Sequence, residues 1–292
     1  MISPFQIDAW RMNRKAVHPR ALDHPEVRML ELPGFTLRVL DTQIGAETLC
    51  IIPDGPNVIE HYVDLVERLR PHFRVLIFDL PGFGLSKHDG AYSYSFDQTN
   101  QLLLALFEAT GVQQVQLAFP CANGFFGLAF ASAFPDRVNR LILMQTPALS
   151  EMEGWVERIV PGSLKVPYLG QIIMSRTERK FAHKWYQYAL PRGVDRAPWQ
   201  ASATEALEHG GHFCLCSLTQ GLMTEIKSDL RLPESVPLTL LYGDKDFTHR
   251  PTDFSSIRAY HPQAEIIQLE GCGHFPDLER PEDFMGVLLN GH

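Results

Sequence analysis

Cys121 stands where an apolar run ends and a helical pattern begins. Val115-Gln-Leu-Ala-Phe119-Pro precedes it, and Ala-Asn123-Gly124-Phe-Phe-Gly127 follows. A strand, a tight turn and a helix together present a nucleophile above an α/β sheet. A sulfur at that turn also meets the free N–H groups and dipole of the helix start, which favour thiolate over thiol. A carboxylate follows another apolar run in Leu241-Tyr-Gly243-Asp-Lys-Asp246. A histidine sits in the glycine-rich loop of Leu269-Glu-Gly-Cys272-Gly-His274-Phe-Pro. All three lie beyond the C-terminal ends of predicted parallel strands, where such sheets build their sites. Their chain order is nucleophile, acid, histidine.

The elements that must position them follow from periodicity. Residues 1–26, broken by Pro19 and Pro25, read as an irregular N-terminal arm. Val27–Leu32 and Phe35–Leu40, joined by Pro33-Gly34, predict a hairpin. Thr48–Ile52, Arg74–Phe78, Val115–Phe119, Val138–Met144, Leu238–Tyr242 and Ala264–Leu269 predict strands. Val58–Leu69, Phe96–Thr110, Asn123–Phe134, Thr252–Tyr260 and Glu282–Leu289 predict helices, with Gly111 placed to end one of them. Strands alternating with helices imply a mostly parallel sheet covered on both faces. The alternation stops near Pro147 and resumes at Leu238. The intervening stretch carries Trp155, Trp185 and Trp199, with helical patterns at Thr177–Ala189 and Ser202–His209. So long a segment between core strands reads as an inserted cap. The expected organisation is an arm (1–26), a core (27–149 and 233–292) and a helical cap (150–232).

Four segments resemble the α/β-hydrolase family. They are Asp79-Leu-Pro-Gly82-Phe-Gly84-Leu-Ser86, Phe134-Pro-Asp136-Arg137-Val138, Gly243-Asp-Lys-Asp246, and Gly273-His274-Phe275 through Leu278-Glu-Arg-Pro281. The resemblance runs from about Val27 to the C-terminus and is weakest in the cap. It implies a mostly parallel eight-stranded sheet flanked by helices, with an inserted helical cap. It also implies a triad of Cys121, Asp246 and His274, with family spacing favouring Asp246 over Asp244.

Two departures stand beside these matches. The family's elbow is Gly-x-Ser-x-Gly, whereas here Phe119 and Asn123 flank Cys121. Asn tolerates unusual backbone angles; Phe119 is expected to enlarge the turn or close part of the pocket. In the family a His-Gly pair follows the third strand, and the next residue donates an oxyanion N–H. This chain has Pro53-Asp54-Gly55-Pro56-Asn57, and Pro56 has no N–H. Ala122 N–H is one expected donor; the other is Asn57, through its backbone or amide side chain, or else the hole is impaired. Phe119, Trp155 and Trp185 are the candidate substrate contacts.

The implied chemistry is cysteine-dependent acyl transfer on a small acyl compound, free or carrier-bound. Three alternatives stay open: a lyase or cyclase using His274 for proton transfer, a degenerate ligand-binding member, and a Ser-to-Cys variant. Dehalogenase and epoxide hydrolase chemistry needs a carboxylate where Cys121 stands. No metal is expected, because Glu208-His209-Gly-Gly-His212-Phe-Cys214-Leu-Cys216 matches no zinc spacing. No cofactor is expected either, because Gly82-Phe-Gly84 lacks the rest of a dinucleotide fingerprint.

Composition narrows the partners. The 292 residues carry 26 basic and 34 acidic side chains, a net charge of −8. That balance argues against nucleic acid or anionic membrane as a partner, and a homo-oligomer through arm or cap is left open. Five cysteines, an odd and sparse number, argue against a disulfide scaffold and for a reducing compartment. The N-terminus lacks a basic stretch followed by an apolar core, so a cytoplasmic location is expected. The uncharged stretch Ala109–Pro135 contains Gln113, Gln114, Gln116, Pro120 and Asn123, and reads as a buried strand and helix rather than a membrane span.

Overall fold

Alternate residues of each central strand enter two different apolar clusters, so the sheet is buried on both faces. Leu76 and Phe78, Leu117 and Phe119, and Leu141 and Leu143 join one cluster. Their neighbours Val75 and Ile77, Ala118, and Ile142 and Met144 join the other. The period of two in side-chain direction accounts for this division, and the near absence of polar residues follows from both faces being covered. The computed structural model describes residues 2–290.

Eight strands form the main path: β1 (Val27–Leu32), β2 (Phe35–Asp41), β3 (Thr48–Ile51), β4 (Arg74–Phe78), β5 (Val115–Pro120), β6 (Val138–Met144), β7 (Leu238–Gly243) and β8 (Glu265–Leu269). Their spatial order is β1-β2-β4-β3-β5-β6-β7-β8, with Lys87–His88 added beside β2. β2 pairs antiparallel with β1 and β4, while β4, β3, β5, β6, β7 and β8 are parallel to one another. The mostly parallel eight-stranded path implied by the sequence is thus present.

The predicted hairpin and core strands recur within a residue or two. Val58–Leu69 divides into a 3-10 turn (Ile59–Tyr62) and a helix, and Thr252–Tyr260 shortens to a 3-10 segment at Phe254–Ala259. The arm departs from expectation. Pro4–Met12 is an α-helix, α1, whose start is fixed by a capping box between Ser3 and Gln6, with Pro4 in the first turn. Proline is favourable there because its missing N–H lies among those a helix start leaves unpaired. Arg11 of α1 reaches Glu178 Oε1 at 2.6 Å, and buried Asp8 accepts from Ser217 Oγ at 2.6 Å.

Between β6 and β7 run α2 (Leu149–Ile159), α3 (Leu169–Ala189), α4 (Ala197–Glu208) and α5 (Leu215–Thr224). Phe83–Gly84 and His212–Phe213 form a small second sheet linking this segment to the loop after β4. The helix after β5, α6 (Cys121–Ala133), is almost wholly buried. That burial explains the uncharged stretch, and among the described residues no helix is long and apolar enough to cross a membrane.

Candidate active site

The strand-to-helix turn places Cys121 at the first position of α6 with φ of +48°. A non-glycine residue held in this left-handed region stores strain of about 1–3 kcal/mol, which the surroundings must sustain. Thr146 Oγ1 donates to the Cys121 carbonyl at 2.9 Å, and Asn123 Nδ2 donates to Pro53 O at 3.3 Å. Gly124 lets α6 press onto the loop after β6, since a Cβ there would lie 2.2 Å from Thr146 Oγ1. Gly124→Ala is therefore expected to destabilise the fold by about 1–3 kcal/mol through overpacking. Denaturant unfolding reads this directly; an unchanged midpoint would contradict so tight a seat.

Asp246 lies just past β7 and is almost completely desolvated. Its Oδ1 accepts from the Thr248 N–H and Oγ1, both at 2.8 Å, and its Oδ2 from Gln145 Nε2 at 3.0 Å. His274 Nδ1 stands 2.5 Å from the same Oδ2. Asp244 does different work: it accepts from the Gly271 N–H at 2.6 Å and pairs with Lys245. The His274 loop is fixed by its own N–H to Ala189 O at 2.9 Å, and by Glu279, which accepts from the Gly273 and Phe275 N–H groups at 2.9 Å each.

The other imidazole nitrogen, His274 Nε2, lies 2.9 Å from Asp54 Oδ2. Neither atom makes an aligned hydrogen bond, to the other or to any other group, and the histidine is fully buried. Burial opposes charge on His274, but Asp246, Cys121 and Asp54 together hold its pKa well above the ordinary value. Burial raises the Cys121 thiol, and the Asp54 carboxylate adds to this, outweighing His274 and the Ala122 N–H. Burial and the Asp54 carboxyl group thus act against the thiolate that the helix start favours. His274 thus lies between the carboxyl groups of Asp54 and Asp246, with the Cys121 sulfur beside it.

His249 completes the cluster. Its ring stacks on Trp155 (5.3 Å, 19°) and on His274 (5.4 Å, 26°), and burial lowers its pKa to about 3. One ligand atom from each of Cys121, His249 and His274 lies within 4.8 Å of the others. These are the donor types that suit zinc. Over the sulfur lies an enclosed cavity of about 30 Å³, lined by Asp54, Gly55, Phe83, Cys121, Ala122, Trp155, Trp185 and apolar residues of α2 and α5. Such a space holds roughly one water.

Comparison with known proteins identifies the scaffold. Residues 47–281 match the family described as alpha/beta hydrolase fold. The chain belongs to the α/β-hydrolase family. Lipase 3 of Moraxella sp. (strain TA144) is 23% identical over 266 residues, covering 87% of this chain and 82% of that protein. The sn-1-specific diacylglycerol lipase ABHD11 of Mus musculus is 27% identical over 224 residues, covering 74% and 71%. The crystal structure of the Bacillus megaterium epoxide hydrolase superposes with a TM-score of 0.69 at 18% identity, covering 90% of this chain and 99% of that one.

Within this α/β-hydrolase scaffold the residues singled out in the sequence have separate fates. Cys121, Asp246 and His274 converge as described, with Ala122, Trp155 and Trp185 around them. Asn57 keeps one of its two possible donors, a side-chain Nδ2 that is buried without a partner. Its N–H donates to Asp54 O at 2.9 Å and its Oδ1 accepts from Tyr186 Oη at 2.9 Å, so its backbone donor is spent inside the turn. Phe119 is corrected. It lines no part of the cavity and lies fully buried in the core, where Gly127 makes room; a Cβ on Gly127 would come within 3.1 Å of its ring. The unusual elbow is thus accommodated from below, without narrowing the pocket.

Sequence reasoning missed Asp54, Gln145, Thr248 and His249. Asp54 had a signal: a lone carboxylate directly after Ile51-Ile52-Pro53, where the family carries histidine. The sequence also has His249 three residues beyond Asp246. Gln145 and Thr248 gave none, because their roles arise only once loops meet in space. Between β6 and β7, His209 stacks on His18, and His212 is buried 3.8 Å from Glu178 with its pKa lowered by burial to about 4.

Proposed function

We propose that the protein is a cysteine-dependent acyl-transfer enzyme of the hydrolase kind, acting on a small ester or thioester through an S-acyl intermediate on Cys121. The observation that carries this reading is the strained Cys121 turn facing a histidine whose Nδ1 is 2.5 Å from Asp246. Lipases among its relatives, acyl-transferring by name, support the class.

Asp54 gives the proton path a particular form. As Cys121 attacks the carbonyl, Asp54 accepts the thiol proton, a C–S bond forms, and the Ala122 N–H meets the oxyanion. His274, already cationic, protonates the departing group as its bond breaks. Asp54 then returns its proton to His274 Nε2 across the 2.9 Å contact. In the second half Asp54 takes a proton from water, water attacks the thioester carbonyl, and His274 protonates the released sulfur. A final Asp54-to-His274 transfer restores the start.

An activated ester tests this. A burst of leaving group near one equivalent per chain, absent in Cys121→Ala, is the expected result. A second reading rests on the oxyanion loop: with Pro56 lacking an N–H and the Asn57 backbone donor committed to Asp54 O, fewer donors face an oxyanion, which favours proton transfer by Asp54 and His274 to and from carbon. Product formed without a burst, and carrying solvent deuterium on carbon, would establish that reading instead. Five buried free cysteines support a reducing, cytoplasmic setting.

A further inference from the structure

A second cavity, about 300 Å³, adjoins the space over Cys121. Trp185 and Leu215 line both. Trp185 also packs edge-on against His274 at 5.4 Å and Trp155 at 5.7 Å. A single layer of side chains therefore separates this outer vestibule from the reacting groups, and the vestibule is large enough for an acyl chain.

Its walls are apolar, with Ile159, Val160, Phe181 and Phe247 among them, and its charged residues are both cations, Arg158 and Lys184. Arg250 adds a third, its guanidinium 4.8 Å above the Phe247 ring, while the Lys184 ammonium lies 5.9 Å from the Tyr188 ring. Among the described residues, none of these three cations has a carboxylate within 4 Å. Three cations thus meet at one apolar mouth in a chain with eight more acids than bases (34 against 26). Such a mouth draws in and orients an anion. Tyr188 and Phe247, exposed and 5.9 Å apart, offer aromatic surface beside it.

We infer that the substrate is an anionic amphiphile: its acyl carbonyl passes Trp185 to reach Cys121, while an attached anion stays at Arg158, Lys184 and Arg250. This rests on the acyl-transfer reading and names its substrate class. The anion has two chemical sources, a carboxylate at the far end of the acyl chain or phosphate on the thiol leaving group.

Two substrate pairs of equal acyl length separate them. One pair is an ω-carboxyacyl thioester and its neutral methyl-ended analogue. The other is an acyl-coenzyme A and the same acyl group on neutral N-acetylcysteamine. In at least one pair kcat/KM is expected to be about tenfold higher for the anion, with the advantage shrinking as salt rises. The ratio within that pair is expected to fall towards one in Arg158→Gln/Lys184→Gln/Arg250→Gln. All three side chains are exposed, and a ratio measured within one protein is unaffected by partial misfolding. Preference in the first pair places the anion on the acyl chain, and preference in the second on the leaving group. Ratios near one in both pairs, or a preference untouched by the triple substitution, would overturn the inference. Should no acyl transfer be found, tryptophan fluorescence of Cys121→Ala titrated with an ω-carboxy fatty amide and its neutral methyl ester tests the anion site alone. Tighter binding of the carboxylate, lost in the triple substitution, upholds it; equal binding overturns it.

Discussion

Cys121→Ala is expected to lower kcat/KM by about 10⁴-fold or more, and His274→Ala by a comparable factor, with the double variant little worse than either. Groups that act as one unit are lost together, because each is useless without the other. Cys121→Ser is also expected to be severely impaired, although the family ordinarily carries serine there. A hydroxyl is a far weaker acid than a thiol, so the Asp54 carboxylate is too weak a base for it, and His274 Nε2 already faces Asp54 at 2.9 Å with its pKa held well above the ordinary value. A thiol, even one raised by burial and Asp54, gives up its proton more readily. Steady-state kinetics on a single ester check all of these. A serine variant at full activity would contradict the protonation state assigned to His274.

The second large effect belongs to Asp54. Asp54→Asn keeps the shape and removes the charge, so activity is expected to fall by about 10²–10⁴-fold, the usual range for a general base. The sign of the accompanying shift is fixed. Asp54 raises the thiol of Cys121, so its loss lowers the pH at which Cys121 becomes thiolate. The pH midpoint for iodoacetamide alkylation of Cys121 should move down in Asp54→Asn while kcat/KM drops. A purely structural role would not move the midpoint in that direction. If Asp54 instead merely blocked His274, the same variant would gain activity, and the proton path drawn here would be wrong.

The scaffold was legible because it is written in patterns that local physics enforces. Apolar runs of five or six residues became the buried parallel strands, and the charge-free stretch became β5 and α6. The order of Cys121, Asp246 and His274 beyond three strand ends was readable for the same reason: parallel strands place their C-terminal ends together. What escaped was everything decided by desolvation and by loops meeting. The helix start at Cys121 promised a thiolate, yet burial and Asp54 raise the thiol. Asn57 sat at a plausible distance along the chain, but its N–H turned back onto Asp54 O. Phe119 looked like an obstacle at the elbow, and Gly127, eight positions on, absorbed it. The helix at Pro4–Met12 was hidden because Pro19 and Pro25 made the whole arm read as irregular, while the Ser3–Gln6 capping box starts a helix with Pro4 in its first turn.

The central claim is that acyl groups pass through the sulfur of Cys121. Its most direct test is to quench the wild-type enzyme with acid during turnover of an acyl thioester and map the peptides by mass. The account predicts the acyl mass on the peptide containing Cys121, removable by neutral hydroxylamine and absent from Cys121→Ala. Product accumulating while that peptide stays unmodified would contradict it.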